Sequence, residues 1–305
     1  LIVNQNTDWV VVEADEFDRS FLHLSPFASI VTAMDPDHLD IYGDATNFKD
    51  GFRQYAMKID PNGCCVMHEN VSLPSLCESV TYAIDSETAD YRASHIKYID
   101  GVMQFVVNTP QINAKKFTLQ IPGLHNVLNA LACIALLDKI GLPMQDIQQG
   151  LNSFKGVRRR FDIQFKSEEL IYIDDYAHHP EELRFLIDSL QMMYPEQEIT
   201  AIFQPHLYTR TRDFGTAFSE QLSRFDALIL LPIYPAREEE ILGISSEWLL
   251  SMVRLKEKQV LNSSRTLELM QKKSKGIVVT IGAGDIDRMV APLRDILIQN
   301  VEATL

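Results

Sequence analysis

The chain has 305 residues, 46% of them hydrophobic and 23% charged, the balance of a globular protein long enough for two domains. A formal net charge of −14 argues against wrapping a nucleic-acid backbone or lying on an anionic membrane, since both demand surplus Lys and Arg. No apolar run approaches the roughly 20 residues that span a bilayer. Cys64, Cys65, Cys77 and Cys133 form no CxxC pair, so neither a disulfide framework nor a structural metal is expected, and a cytoplasmic location is.

The chain opens without Met and enters the apolar run Trp9 to Val12 almost at once, from which a segment upstream of Leu1 is expected. Short β-branched runs then alternate with stretches of helical period, the signature of parallel α/β layers. Strands are predicted at Trp9 to Val12, Ala28 to Thr32, Gly63 to His68 and Ser79 to Ile84. Between Tyr91 and Leu119 two alternating runs flank Asp100-Gly101, a hairpin dipeptide, and predict an antiparallel flap. A helix is expected from about Asn126 to Ile140, ended by Gly141, with Pro143 opening the next. Past Lys155 to Arg160 the alternation restarts, with strands at Leu170 to Ile173, Ile199 to Phe203, Ala227 to Leu231 and Ile277 to Ile281. The expected organisation is therefore two parallel-sheet α/β domains, 1–153 and 154–305, the second Rossmann-like.

Polar clusters fall where ligands collect in such sheets, at the carboxyl ends of strands. Glu13-Ala14-Asp15-Glu16-Phe17-Asp18 gathers hard oxygen donors that suit Mg²⁺, or else forms a solvated loop and helix start. Asp35-Pro36-Asp37-His38-Leu39-Asp40 sets an imidazole among three carboxylates, which makes His38 a metal ligand or a surface histidine paired to Asp37 or Asp40. Asn126 and Asn129, three apart at a helix start, share a face suited to a nucleotide, although Asn126 alone reads as a cap. Asp174-Asp175-Tyr176-Ala177-His178-His179-Pro180 ends one strand and opens a helix. Gln204 to Arg212, after the next, carries His206 with Arg210 and Arg212, forks for a carboxylate or phosphate. Gly282-Ala283-Gly284-Asp285 reads as a tight strand-to-helix turn facing the site, and Arg237 to Glu240 as a solvated loop or helix start.

Taken in order, the stretches Glu13 to Leu22, Asp37 to Asp40, Gly123 to Ala130, Arg159 to Phe161, Asp174 to Pro180 and Phe203 to Thr211 resemble the successive signatures of the Mur ligases. The resemblance covers essentially the whole chain and is nearest to the alanine-adding members. It implies ATP-dependent ligation of L-alanine to UDP-N-acetylmuramate in peptidoglycan precursor synthesis, through an acyl phosphate. It also implies roles: Glu13 and His38 holding Mg²⁺, Asn126 and Asn129 facing the adenine nucleotide, Arg160 and Asp175 reaching it from the second domain. Tyr176, His178, His206 and Arg210 would surround the alanine. The family's Gly-rich phosphate loop and UDP-sugar domain are absent and expected upstream of Leu1, so this stretch alone is expected to be a very poor catalyst. Ala33 and Leu207 also depart from the residues relatives often carry there, Asn and Arg. Two alternatives stay open: another amino-acid or murein tripeptide ligase of the family, or a non-catalytic nucleotide-binding remnant.

Overall fold

A computed structural model describes residues 8–35, 39–99 and 101–303. Contacts divide the chain into two compact units, one of Leu1–Ile96, Phe105–Phe117 and Leu128–Leu151, the other of Lys97–Gln104, Thr118–Val127 and Asn152–Leu305.

In the first part of the chain Ala28–Val31 (β1), Cys64–His68 (β2), Glu78–Ile84 (β3), Tyr91–Ile99 (β4), Val102–Asn108 (β5) and Lys115–Leu119 (β6) form one sheet in sequential order. β1 to β4 run parallel. β5 follows β4 after two residues and lies beside it in the sheet; Gly101 takes φ +85°, and Asp100, its partner in the expected hairpin dipeptide, lies outside the described residues. Helices Leu39–Tyr42 (α1), Ala45–Ala56 (α2), Leu124–Lys139 (α3) and Met144–Ser153 (α4) connect or follow the strands. Asp44 starts α2 by accepting hydrogen bonds from Thr46 N and Asn47 N, both at 2.8 Å. Gly141, at φ +88°, ends the helical path after α3 as expected.

The strand expected at Trp9 to Val12 does not form. These residues join no sheet, and Val10 and Val11 are 75% and 95% exposed. β-branched side chains favour a strand only where a neighbouring strand supplies hydrogen bonds and a packing face. Here β1 is the edge of the sheet, and only Trp9 finds an aromatic contact, edge-on to Phe27 at 5.6 Å.

The second part runs Asp162–Lys166 (β7), Leu170–Asp175 (β8), Pro180–Met193 (α5), Ile199–Phe203 (β9), Tyr208–Asp213 (α6), Gly215–Leu222 (α7), Ala227–Leu230 (β10), Ser246–Met252 (α8), Glu257–Val260 (β11), Ser263–Met270 (α9), Gly276–Ile281 (β12) and Asp287–Glu302 (α10). The strand order is β11-β10-β9-β12-β8-β7, parallel except for β7 against β8. β8, β9 and β12 are buried along their whole length, because helices cover both faces of the sheet. Alternate residues Ile173, Ala201, Phe203, Val279 and Ile281 pack on α5, α7 and α8 through Leu186, Leu190, Phe218 and Leu249. Tyr172, Ile202 and Val278 point the other way, onto Met270 of α9 and Leu293 and Leu297 of α10. The last strand, β12, inserts between β9 and β8. The turn at Gly282 therefore lies between the two polar strand ends that the chain supplies much earlier.

Candidate active site

The carboxyl end of β8 carries Asp174 and Asp175, 1% and 3% exposed. Thr280 Oγ1 donates to Asp174 at 2.7 Å, and Arg159 Nε pairs with its other oxygen at 3.1 Å. Arg159 also donates to Gly282 O at 2.6 Å, so one guanidinium laces the ends of β8 and β12 together. Asp175 accepts from Phe161 N at 2.7 Å and Ala177 N at 2.8 Å. Burial pushes its carboxyl up to about 7, against those two N–H groups and Arg160, which pull it down.

That grip explains an unusual backbone. Arg159 and Phe161, at φ +62° and +51°, are non-glycine residues in the left-handed region, which costs roughly 1 to 2 kcal/mol each. The Asp175 bond to Phe161 N and the Tyr176 N bond to Arg159 O, 2.7 Å, hold them there. The result presents Arg160 beside the start of α5. Arg159 and Arg160 lie over the Tyr176 ring, 5.1 and 5.4 Å from its centroid.

Pro180 occupies the first turn of α5, His179 is its N-cap, and Glu182 closes a capping box. Glu182 accepts from His178 N at 2.8 Å and His179 N at 3.2 Å, and its other oxygen accepts from Arg160 Nη1 at 3.1 Å. The His178 ring lies 5.3 Å from Tyr176 and 6.0 Å from His206.

After β9 the buried side chain of Gln204 donates to Asp285 at 2.7 Å and accepts from Ile286 N at 2.9 Å, tying this strand end to the β12 turn. Gly284 is required there: a Cβ would sit 2.5 Å from Gln204 Oε1 and 2.7 Å from Tyr234 Cβ. His206 stacks on Tyr234, centroids 5.6 Å apart, while Tyr234 N donates to Pro205 O and Leu207 N to Tyr234 O. One turn on, Arg210, only 5% exposed, places Nη1 3.2 Å from His206 Nδ1. Leu207, at φ +70°, makes the bend that brings the two together. Glu238 holds the start of α6 by accepting from Thr209 N at 3.0 Å and from Thr209 Oγ1. By its sequence the run Arg237 to Glu240, which holds Glu238, reads as a solvated loop or helix start. Its partner is 29 residues away, so no local pattern announces the bond.

Tyr176, His178, His206 and Arg210 thus form one continuous cluster in the second unit, with Arg160 and Asp175 adjoining it through Tyr176 and Phe161. Asn126 lies in the same unit, but its side chain is buried and donates to Pro122 O at 2.6 Å, a local restraint on the start of α3. The neighbouring His125 ring is half-buried, 6.4 Å from Phe161, and desolvation, reinforced by Arg160, lowers its pKa to about 4. Asn129 is exposed on α3 within the first unit.

Glu13 is also exposed, in irregular backbone rather than at a strand end; His38 falls outside the described residues. The chain after Glu13 is anchored by a 3₁₀ segment, Phe17–His23, whose Phe21 stacks on Tyr55 at 5.0 Å. Among the described residues, which exclude His38, no three His, Cys, Asp or Glu side chains converge as a metal site. No helix among them is long and apolar enough to cross a membrane.

Comparison with known families matches residues 1–137 to the Mur ligase middle domain and 159–284 to the Mur ligase glutamate ligase domain. The UDP-N-acetylmuramate–L-alanine ligase of Cytophaga hutchinsonii is 42% identical over 94% of this chain and 62% of its own length. The enzyme of that name from Parabacteroides distasonis is 41% identical over 99% of this chain and 66% of its own. The chain thus spans less than two thirds of the length of these relatives. Among solved structures, the UDP-N-acetylmuramate–alanine ligase of Thermotoga maritima superposes with a TM-score of 0.73 at 25% identity, covering 96% of this chain and 63% of that one. A MurF ligase from the same organism, in complex with ADP, gives 0.71 at 16% identity over 94% and 65%, a likeness of fold alone. With its two six-stranded α/β sheets and both domain matches in sequence, the chain belongs to the Mur ligases.

Proposed function

We propose that this chain carries the nucleotide- and amino-acid-binding parts of an ATP-dependent ligase that joins L-alanine to UDP-N-acetylmuramate, with a domain boundary at 153/154 and a cytoplasmic location. The observation that carries the reading is the cluster of Arg210, His206, His178 and Tyr176. A buried guanidinium offers a fork for one small carboxylate. Arg160 and Asp175, with Asn126, are the residues we assign to the nucleotide in this unit, and Asn129 is the candidate in the first. Arginine in such a place neutralises phosphate charge, which governs phosphoryl transfer.

ATP would supply the phosphoryl group that activates the muramoyl carboxylate before the alanine amine displaces phosphate. Mg²⁺ enters the proposal through Glu13 and His38, whose carboxylate and imidazole are suitable donors once phosphate oxygens complete the shell. The 42% and 41% identities to proteins named as alanine ligases support alanine over other amino acids.

The test is phosphate release by the product of the complete gene, given ATP, Mg²⁺ and UDP-N-acetylmuramate with L-alanine, D-glutamate or a murein tripeptide. Release dependent on L-alanine and on the UDP-sugar is expected. Release with glutamate or the tripeptide instead, or none with any of them, overturns the reading.

A further inference from the structure

Glu182 was not among the residues that the motifs single out, yet its carboxylate meets both Arg160 and His178. One oxygen accepts from Arg160 Nη1 at 3.1 Å. The other accepts from His178 N at 2.8 Å and His179 N at 3.2 Å, and lies 3.3 Å from His178 Nδ1. A capping box accounts for the backbone bonds at the start of α5. It does not call for an arginine 22 residues earlier on the opposite oxygen, nor for an imidazole against the first.

We infer that Glu182 is a positioning residue that fixes Arg160 and His178 together, so that one carboxylate sets both a nucleotide-facing and an alanine-facing group. The inference rests on the function proposed above. Two further facts support it. Burial would raise this carboxyl, but the His178 ring, its backbone N–H and Arg160 outweigh that and hold it below the usual range, so the carboxylate stays charged. Both partners are on short tethers: Arg160 follows directly on the strained Arg159, and the His178 ring is also 3.0 Å from Tyr176 O. A carboxylate between two such groups transmits a shift of either one to the other.

Glu182→Gln in the complete gene product is the test, because the amide oxygen still accepts from the backbone N–H groups while the charge is gone. We expect the KM values for ATP and for L-alanine each to rise about tenfold, the loss of a charged hydrogen bond at each subsite. Arg160→Gln should raise chiefly the first and Arg210→Ala chiefly the second. A purely structural cap would lower the melting temperature and leave both KM values in place, which would overturn the inference while the functional reading stood. If Arg160→Gln and Arg210→Ala move neither KM, the site reading falls and the inference with it. Should Glu182→Gln fail to fold, the double variant Arg160→Gln/His178→Asn decides. Coupling through Glu182 requires a combined rise in KM smaller than the product of the two single rises, and a simple product overturns it.

Discussion

Replacing Arg210 by Ala removes a guanidinium that is 5% exposed and lies 3.2 Å from His206 Nδ1. At that burial water screens the charge poorly, so the bound carboxylate of an amino acid would lose a desolvated partner rather than a surface ion pair. Such a loss costs roughly 2 to 5 kcal/mol, or about 30- to 4000-fold in affinity. Arg210→Lys keeps the charge without the planar fork and should fall between the variant and the wild type. The assay is initial-rate kinetics of the complete gene product with ATP and L-alanine varied in turn, and with thermal melting recorded separately, since truncation also empties a buried site. The alanine KM should rise steeply and the ATP KM hold nearly constant. If both rise together, Arg210 serves the nucleotide and the amino-acid pocket is misplaced; if neither rises, the cluster is structural.

Two further predictions test the fold around the site. The His125 pKa is lowered from 6.5 to about 4 by burial, so its neutral form is favoured by folding. The stability this gives is present above pH 6.5 and lost as pH falls through about 4, worth about 3 kcal/mol across that window. His125→Gln should flatten the dependence of urea-unfolding stability on pH between those values, and an unchanged slope would show that the ring is hydrated. Gly284→Ala must push a methyl group into Gln204 Oε1 and Tyr234, loosening the tie between β9 and the β12 turn. It should destabilise the protein by roughly 1 to 3 kcal/mol in chemical denaturation, and a neutral result would refute the packing described there.

The α/β class and most of the second sheet could be read from the residues alone. β9 begins and ends where its Ile-Thr-Ala-Ile-Phe run does, and α5 starts at the Pro180-Glu181-Glu182 signal, because burial and capping act over a few neighbouring positions. Tyr176, His178, His206 and Arg210 were also visible as polar groups placed just after apolar strands. Local preference misled at Trp9 to Val12, a run with every mark of a strand that nevertheless joins no sheet. It was silent at β11, whose Glu-Lys-Gln-Val sequence becomes a strand only because β10 offers it an edge. Glu182 and Glu238 were hidden for a related reason. As acids at a helix start and in a charged loop they look ordinary, and their roles come from Arg160 and Thr209, 22 and 29 residues away. What a sequence determines by itself is which segments want burial and where a helix can begin, since those are energies of neighbours along the chain. Which strand ends become neighbours in space was decided by the tertiary structure, where β12, last in sequence, closes between β9 and β8 because only there are both faces and both edges of its six buried residues satisfied.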